Sequence, residues 1–315
     1  MQNKPDNHTR IAVCSRSFSR HAGLRACLLE QYQQVTFNDE GLSLQGDALV
    51  SFLSGHDKAI VALEIITAET LDQLPQLKVI SKYGVGLDGI DISALRERNI
   101  RLGWQGGVNK RSVSELALSF AIMLLRHLPV ANREILNGLW QQKTGRLLSG
   151  KTVGIIGCGH VGKDLVSLLQ PFGCEILVHD IVDYTEFYER YDIRAVGLDT
   201  LLAAADIITL HVPLDASTLG MLDAQKLDKI KPGACLINTA RGNLVDETAL
   251  KDCLRDGRLG GAAFDVFAQE PPSDKELLNM PNFFSSPHLG GSAAEAILAM
   301  GQSAIAGLDD NSVPL

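Results

Sequence analysis

The chain of 315 residues is long enough for two domains of ordinary size, and its 45% hydrophobic and 21% charged residues indicate packed cores rather than disorder. A net charge of −8 excludes the clustered basic surface that binding to nucleic acid or to an anionic membrane requires. The polar start and the lack of a run of about 18 apolar residues predict neither a signal peptide nor a membrane span, so we expect a cytoplasmic protein.

The first hundred residues alternate short apolar runs with amphipathic stretches. Strands are predicted at 11–14, 35–37, 59–63, 79–81 and 100–102. Helices are predicted at 22–32, 47–53, 71–74 and 92–96. Alternation at this spacing predicts a parallel sheet covered by helices, and therefore a small α/β domain.

The loop 82–88, Lys-Tyr-Gly-Val-Gly-Leu-Asp, follows the fourth predicted strand. Gly84 and Gly86 would let the backbone turn its amides towards a ligand, and backbone nests of this kind bind carboxylates. An ordinary strand-to-helix turn, with Asp91 as the N-cap of the next helix, explains the segment equally well. Both interpretations are open at this point.

A long helix with an apolar face is predicted next. Ser112 and Glu115 match the S-x-x-E capping box, in which the serine precedes the first helical turn. Apolar residues then recur with helical spacing from Leu116 to Leu125. Glu115 is therefore predicted to be a helix cap rather than a catalytic acid.

A strand, a tight turn and a helix are predicted over residues 152–170. The apolar run 152–156 breaks into Gly157-x-Gly159-x-x-Gly162. In a dinucleotide-binding turn, these three glycines make the turn, admit a pyrophosphate and let the helix pack closely on the strand. Unpaired amides at the start of the helix would face the phosphates. An ordinary glycine turn remains the alternative for this motif alone.

Asp180 ends the next predicted strand, 18 residues after Gly162. Dinucleotide-binding folds place a carboxylate at this spacing on the hydroxyls of the adenosine ribose. Ile181 follows instead of an arginine, so a 2′-phosphate would meet a carboxylate without a cation nearby in sequence. NAD is therefore the expected cofactor, rather than NADP.

The rest of the chain continues the alternation and predicts a doubly wound sheet. Strands are predicted at 207–211, 234–238, 262–266 and 283–285. Helices are predicted at 201–205, 224–230, 247–255, 275–278 and 293–308. Ligands of such sheets bind beyond the carboxyl ends of the strands, where the polar motifs of this chain lie.

Three side chains near these strand ends suit a hydride transfer between NAD and a hydroxyl carbon. His288 could exchange the hydroxyl proton near neutral pH. Glu270 could fix the imidazole, and Arg241 could orient a carboxylate and polarise the reacting carbonyl. Each also has an ordinary interpretation, as a loop histidine, a solvated acid and a surface arginine. The six cysteines lack a C-x-x-C pair and predict buried thiols without a metal site.

The ordered motifs at 157–162, 180, 211–214, 238–242, 264–271 and 286–291 together resemble the NAD-dependent D-2-hydroxyacid dehydrogenases. This resemblance runs from about Lys78 to Gly301. It implies a Rossmann NAD domain at 107–288, inserted into a flavodoxin-like substrate domain formed by 1–106 and 289–315. It also implies a small 2-hydroxy or 2-oxo acid as the substrate and a homodimer formed through the NAD domain.

The resemblance also implies roles for single residues. It makes His288 the catalytic acid/base, Glu270 its partner and Arg241 the clamp on the substrate carboxylate. The residues implied in cofactor binding are Gly157, Gly159, His160, Val161, Gly162, Asp180, His211, Pro213, Thr218, Thr239, Ala240, Arg241, Asp265, His288 and Gly290. The residues implied in substrate binding are Lys82, Tyr83, Gly84, Val85, Gly86, Arg241 and His288.

Within the family, the stretch 109–115 looks most like the phosphoglycerate dehydrogenases, so 3-phosphoglycerate is the first substrate candidate. These enzymes usually carry an arginine after the third strand, whereas the segment 61–67 holds Glu64 and no cation. The cations left for a phosphate are Lys82, Arg16, Lys110 and Arg111. The carboxyl-terminal regulatory domain of many bacterial relatives is also not seen, so feedback by serine is not expected.

Other functions remain open from the sequence. A relative of the same class could use glyoxylate, hydroxypyruvate, phosphonopyruvate or pyruvate, the oxidised form of D-lactate. Proteins of this fold also include NAD-sensing corepressors, so a non-catalytic NAD-binding protein is a second class. Oxidation of phosphite or formate is a third. Consumption of NADH in the presence of 2-oxo acids separates the first class from the others.

Overall fold

The computed structural model describes residues 6–314, which form two compact units. One unit contains the residues up to Asn109 together with those from Ala294 onward, and the other contains Lys110–Ala293. These borders lie three and five residues beyond the domain borders expected at 106 and 288, because they coincide with the starts of two helices. Assignment of substrate binding to the first unit stays a prediction.

The first unit is built on a five-stranded parallel sheet with the order β2-β1-β3-β4-β5. Its strands are β1 (Asp6–Val13), β2 (Tyr32–Phe37), β3 (Lys58–Val61), β4 (Val79–Lys82) and β5 (Arg101–Gly103). Its helices are α1 (Arg16–Arg20), α2 (Ala22–Leu29), α3 (Gly46–Leu53), α4 (Ala68–Asp72), α5 (Ile92–Glu97) and, at the end of the chain, α14 (Ala294–Gly307).

The central strands of this sheet are apolar on both faces because helices cover both sides. Ile11 and Val13 of β1 join one buried cluster, whereas Ala12 and Cys14 join the cluster on the opposite face. The last helix, α14, packs against β5 so closely that a Cβ at Gly103 would overlap the backbone of Gly307. The chain therefore returns to its first unit to complete the core.

The second unit is a seven-stranded parallel sheet with the order β12-β11-β10-β9-β6-β7-β8. Its strands are β6 (Thr152–Ile156), β7 (Glu175–His179), β8 (Ile193–Ala195), β9 (Ile207–Leu210), β10 (Ala234–Asn238), β11 (Leu259–Phe264) and β12 (Phe283–Ser285). Its helices are α6 (Lys110–Leu125), α7 (Leu128–Leu136), α8 (His160–Leu169), α9 (Thr185–Tyr191), α10 (Leu198–Ala204), α11 (Ala224–Leu227), α12 (Glu247–Arg255) and α13 (Lys275–Asn279).

The strand order reverses between β6 and β9, because β7 and β8 extend the sheet on one side of β6 and β9 to β12 extend it on the other. Ligands of doubly wound sheets bind at the carboxyl ends of the strands beside such a reversal. The predicted α/β class with a doubly wound parallel sheet is confirmed. The short strand β8 and the helices α7 and α9 were not predicted.

The prediction of a capping box at the start of α6 is wrong. This helix begins at Lys110, so Ser112 lies inside its first turn. The hydroxyl of Ser112 donates to the carbonyl oxygen of Gly290 at 2.6 Å. A partner 178 residues away has therefore replaced the local backbone partner that the pattern predicts.

No single helix in the described part of the chain is long and apolar enough to span a membrane, although α6 and α7, with a bend of 65° between them, reach the required length and composition as a pair. Residues 6–314 also contain no group of three His, Cys, Asp or Glu side chains able to hold a metal. All six cysteines are free thiols, and four of them are buried. Burial raises the pKa of Cys158 and of Cys235 to about 11, so these two thiols are protonated and unreactive at neutral pH.

Candidate active site

The turn after β6 has the geometry that a dinucleotide-binding turn requires. Gly157 has a φ of +96°, and a Cβ there would lie 2.7 Å from the carbonyl carbon of His211. A Cβ at Gly162 would overlap the carbonyl oxygen of Gly157, so the helix can approach the turn only with glycine here. At Gly159, by contrast, a Cβ would meet nothing within 4 Å. The turn is therefore tight on its inner side and open on its outer side.

Residues His160 and Val161 form the first turn of α8, where backbone amides have no partner within the helix. These amides and the positive end of the helix dipole face the open side of the glycine turn. The predicted contribution of the His160 backbone amide, rather than its ring, to cofactor binding stays a prediction. An anionic phosphate fits this end of the helix.

The carboxylate of Asp180 lies beside the glycine turn. Its Oδ2 accepts the N–H of Cys158 at 2.5 Å, and its Oδ1 accepts the N–H of Val182 at 2.8 Å. Two backbone bonds therefore hold an acceptor group next to the glycine turn. The next side chain, Ile181, is 97% exposed and carries no charge. A ribose diol can donate to this carboxylate, whereas a 2′-phosphate would be repelled by it.

The buried polar atoms of this sheet edge also fit a dinucleotide. Thr239 follows β10, and its Oγ1 is buried without a hydrogen-bond partner among residues 6–314. A buried hydroxyl of this kind calls for a polar ligand group. The open outer side of Gly159, the amides of α8 and the carboxylate of Asp180 supply the other contacts. NAD therefore suits this edge, and these residues would hold it.

The imidazole of His288 and the carboxylate of Glu270 meet although the two residues lie on different loops. Nδ1 of His288 is 2.8 Å from Oε2 of Glu270, and the two side chains are 44% and 39% exposed. The other carboxylate oxygen, Oε1, accepts the N–H of Phe267 at 3.1 Å. Glu270 is therefore fixed from both sides and sets the proton of His288 on Nδ1. The opposite ring nitrogen, Nε2, is then the atom able to exchange a proton with a ligand.

The loop that carries His288 is held by the carboxylate of Asp265, which is 1% exposed. This carboxylate accepts the N–H of Leu289 at 2.6 Å, the N–H of Gly290 at 2.7 Å and the hydroxyl of Ser286. His288 itself has a φ of +54°, a left-handed conformation that is uncommon outside glycine. The predicted contact of Asp265 with the cofactor stays a prediction, but its structural task here is to shape the His288 loop.

Arg241 lies on the loop after β10, beside Thr239 and Ala240. The side chain of Asn238 holds this loop, because its Nδ2 donates to the carbonyl oxygen of Arg241 at 2.8 Å and its Oδ1 accepts the N–H of Ala240 at 3.0 Å. Nη1 of the guanidinium donates to the carbonyl oxygen of Ala240 at 2.7 Å. Asn238 is fully buried; it belongs to the motif 238–242, but its own role was not predicted, since that role depends on a turn that only the fold defines.

The loops of Arg241 and Glu270 interlock at Gly242. A Cβ at Gly242 would overlap the carbonyl carbon of Phe267 and the amide nitrogen of Ala268. The backbone of the second loop therefore lies directly against the backbone of the first. This contact fixes the position of Arg241 relative to Glu270.

The loop after β9 carries three further residues expected at the cofactor. Burial lowers the pKa of His211 to about 3, so its ring is neutral at physiological pH, and its Nε2 lies 3.0 Å from the hydroxyl of Thr209. The hydroxyl of Thr218 donates to the carbonyl oxygen of Pro213 at 2.7 Å and accepts the N–H of Asp215 at 2.9 Å. The His211 ring is thus engaged with β9 and the Thr218 hydroxyl with its own loop, and their contacts with NAD stay a prediction.

In the first unit, the loop after β4 presents backbone rather than side chains. Gly84 has a φ of +120°, and the carbonyl oxygen of Val85 accepts the indole N–H of Trp104 at 3.0 Å. The ring of Tyr83 packs edge-on against Phe18 at 5.6 Å between centroids.

Tyr83 is only 7% exposed, so its side chain belongs to the core, and its predicted contact with the substrate stays a prediction. The carboxylate of Asp91 accepts the N–H of Ala94 at 2.9 Å, which confirms the predicted helix cap.

The cations suggested for a phosphate are divided between the two units, with Lys82 and Arg16 in the first and Lys110 and Arg111 in the second. The ammonium of Lys82 donates to the carbonyl oxygen of Ala62. In the second unit, Arg111 forms an ion pair with Asp164 at 3.0 Å. Lys82 and Arg111 therefore have partners within their own units, and the predicted phosphate contact of each would require exchange of that partner.

Gly159 and Gly162 should separate cofactor binding from folding. The Gly159→Ala variant is expected to keep the thermal midpoint within about 2 °C, because the new methyl group enters open space, yet to bind NADH about tenfold more weakly. Gly162→Ala is expected to cost about 2 kcal/mol or more of unfolding free energy, since its methyl group overlaps Gly157. Thermal unfolding and calorimetric titration with NADH measure the two effects. An unchanged Kd for NADH in Gly159→Ala would contradict this path of the phosphates.

Comparison with known proteins agrees with this geometry. Residues 118–290 match the family described as D-isomer specific 2-hydroxyacid dehydrogenase, NAD binding domain. The chain is 37% identical over 239 residues to a D-3-phosphoglycerate dehydrogenase of Archaeoglobus fulgidus, covering 75% of this chain and 45% of that protein. It is 34% identical over 275 residues to a hydroxypyruvate reductase of Thermotoga maritima, covering 84% of this chain and 89% of that protein.

A solved structure from Polaromonas sp. JS6 66, assigned to the NAD-binding D-isomer specific 2-hydroxyacid dehydrogenases, superposes with a TM-score of 0.87. Its sequence is 30% identical, and the match covers 96% of this chain and 95% of that one. The chain spans about half the length of the phosphoglycerate dehydrogenases that it matches. The family match covers the sheet that holds the glycine turn, so the predicted cofactor, NAD, is confirmed. The chain belongs to the D-isomer specific 2-hydroxyacid dehydrogenase family.

Proposed function

We propose that this protein catalyses the reversible, NAD-dependent oxidation of a small D-2-hydroxy acid to its 2-oxo acid. The observation that carries the proposal is the pair of His288 and Glu270, 2.8 Å apart. This pair lies on the same carboxyl edge of the seven-stranded sheet as the open glycine turn at Gly159. A proton-exchanging group and a dinucleotide site on one edge are the two parts that this reaction needs.

In the direction of oxidation, Nε2 of His288 accepts the proton of the substrate hydroxyl as C2 loses a hydride. NAD, when bound, supplies the acceptor for that hydride. The carboxylate of Glu270 stabilises the imidazolium that forms and keeps its Nδ1–H oriented. In the direction of reduction, the same imidazolium returns the proton to the oxygen of the 2-oxo acid.

We assign the orientation of the substrate to Arg241 and to the backbone amides of Val85 and Gly86. A guanidinium can bind a carboxylate through two parallel N–H bonds and also polarise an adjacent carbonyl group. The loop of Arg241 is held by two hydrogen bonds of the Asn238 side chain, which support a preformed position for the guanidinium. The left-handed Gly84 leaves the amides that follow it available for a carboxylate nest.

The candidate substrates are taken from the acids that the relatives of this chain are named for. The sequence favours 3-phosphoglycerate and its 2-oxo acid, and relatives named as D-3-phosphoglycerate dehydrogenase support it over about half of their length. The relative named as a hydroxypyruvate reductase matches over 89% of its length and supports an unphosphorylated 2-oxo acid. A cytoplasmic location also stays a prediction.

A panel of 2-oxo acids tests the reaction. Purified protein with NADH should consume cofactor in the presence of at least one of glyoxylate, pyruvate, hydroxypyruvate, phosphohydroxypyruvate and phosphonopyruvate. Calorimetric binding of NADH serves as the control that the protein is folded. If the protein binds NADH tightly but consumes none with any of the five acids, the proposed enzymatic activity is contradicted. A non-catalytic NAD-binding protein would then be favoured.

We also propose that the protein is a homodimer. Helix α7 buries none of its residues, and this helix and the loop after it expose Leu136, Trp140 and Leu147 at 78%, 85% and 67%. Large apolar side chains exposed to this extent on one segment are typical of a contact between proteins. Sedimentation should give twice the chain mass of 34.0 kDa, and a double variant with Leu136→Glu and Trp140→Glu should sediment as a monomer. Leu219→Glu, at another exposed leucine, is the control; a wild-type mass of 34.0 kDa would contradict the dimer.

A further inference from the structure

The carboxyl edge of the five-stranded sheet holds a buried carboxylate. Glu64 follows β3 and is 8% exposed, and its Oε2 accepts the N–H of Ala62 at 2.5 Å. The charge of this group acts on Cys14, the residue directly after β1, because Glu64 adds to the effect of burial in raising the pKa of that thiol. This carboxylate is therefore buried at the carboxyl edge of the sheet and is not a solvated surface acid.

Glu64 lies directly beside the loop that we assign to the substrate carboxylate. The N–H of Tyr83 donates to the carbonyl oxygen of Val61 at 2.8 Å, and the N–H of Ile66 donates to the carbonyl oxygen of Gly89 at 2.8 Å. These two bonds hold the segment 62–66 alongside the loop 83–89. A Cβ at Gly89 would lie 3.3 Å from the carbonyl oxygen of Glu64, which shows how closely the two segments pack.

The positive charges of this edge do not favour an additional dianion. Lys82 is 7% exposed and its ammonium donates to the carbonyl oxygen of Ala62, the same residue whose N–H binds Glu64. One buried cation and one buried anion are thus anchored on the backbone of Ala62. Arg16, at the start of α1, and Asp88 are both exposed, so solvent screens their charges.

We infer that Glu64 is a specificity-determining residue that selects against a phosphorylated substrate, so that the substrate is a 2-hydroxy acid whose C3 substituent carries no negative charge. This inference rests on the proposed function, because it takes the amides of Val85 and Gly86 as the site of the substrate carboxylate. A substrate held there places its C3 substituent close to the segment 62–66. A phosphate dianion would then face a buried carboxylate, and such like-charge contacts are a strong basis for rejecting a ligand.

The test compares hydroxypyruvate with phosphohydroxypyruvate, which differ only by the phosphate. Wild-type protein is expected to reduce hydroxypyruvate with a kcat/KM about tenfold or more above that for phosphohydroxypyruvate. Glu64→Gln keeps an acceptor for the N–H of Ala62 and removes the charge. It should raise kcat/KM for phosphohydroxypyruvate by about tenfold while changing that for hydroxypyruvate less than about threefold.

Glu69→Gln is the matched control, because it makes the same change at an exposed glutamate on the neighbouring helix α4 and should leave the ratio as in wild type. A wild-type preference for phosphohydroxypyruvate, or an unchanged ratio in a folded Glu64→Gln protein, would overturn the inference. So would a fall in phosphohydroxypyruvate turnover on Arg16→Gln, since that would show a cation recruited for the phosphate.

A binding experiment on the wild-type protein keeps the inference testable if Glu64→Gln does not fold or if no acid is turned over. D-glycerate and 3-phosphoglycerate are titrated into the complex with NADH, and D-glycerate is expected to bind about tenfold or more tightly. Tighter binding of 3-phosphoglycerate would reject the role of Glu64. Failure of every 2-oxo acid to consume NADH would instead reject the proposed reaction and leave this affinity ratio as a separate result.

Discussion

Replacement of His288 by Asn is expected to lower kcat/KM about 10³-fold for every 2-oxo acid that the protein reduces, because loss of a positioned acid/base removes most of the proton-transfer catalysis. Asparagine suits the position, since it tolerates the left-handed φ of +54° better than other side chains with a Cβ. Steady-state NADH consumption measures the loss of rate. Calorimetric titration should show NADH binding close to that of wild type.

The control for this prediction is His56→Asn, which makes the same change in the first unit, where His56 contacts Thr36 at 2.9 Å. That variant should keep kcat/KM within about threefold of wild type. Full turnover by His288→Asn would remove the acid/base assignment. A Glu270→Gln variant should have a kcat/KM between those of His288→Asn and His56→Asn. Its amide oxygen can still accept from Nδ1 but carries no charge to stabilise the imidazolium.

Of the glycines in the site, Gly242 is expected to tolerate an added methyl group least, so Gly242→Ala should lose the most stability and activity. Its Cβ would overlap the backbone at Phe267 and Ala268, so either the Arg241 loop or the Glu270 loop has to move. We expect a loss of about 3 kcal/mol or more of unfolding free energy and about a 10²-fold loss of kcat/KM, since small displacements of reacting groups are costly. Chemical denaturation and steady-state kinetics give the two quantities.

Gly197→Ala is the matched control for this effect. Gly197 precedes α10 with an ordinary φ of −66°, and a Cβ there would meet nothing within 4 Å. Because Gly197 is the N-cap of α10, its substitution should cost about 1 kcal/mol or less of unfolding free energy, well below the loss expected for Gly242→Ala. If Gly242→Ala retained wild-type stability and activity, the two loops would not be locked together as described.

Much of the second unit could be predicted because its signals are local. The glycine turn at 157–162 and the acid at Asp180 depend on strand ends and turn geometry, and the structure places both on the same edge of the sheet. Helix α12 was predicted with its observed bounds, since Asp246 caps it and apolar residues recur on one face. Secondary structure with a strong periodic pattern thus needed no tertiary information.

The errors arose where distant partners decide the outcome. Ser112 matched a local capping rule, but the carbonyl of Gly290 is its actual partner. The bond from the ammonium of Lys82 to the carbonyl oxygen of Ala62, just after β3, was likewise not predicted, while the phosphate contact of Lys82 stays a prediction. The short strand β8 pairs with one neighbour at the edge of its sheet and has too few residues to show a period. None of these contacts follows from spacing along the chain.

The loop around His288 has a practical consequence for finding the natural substrate. Its shape comes from Asp265, which binds the amides of Leu289 and Gly290 and the hydroxyl of Ser286, and none of these bonds involves the imidazole. The His288→Asn protein should therefore retain this loop in its native shape while losing its acid/base group. Such a protein is suited to capture a slowly reacting ligand from a cell extract for identification by mass spectrometry or crystallography.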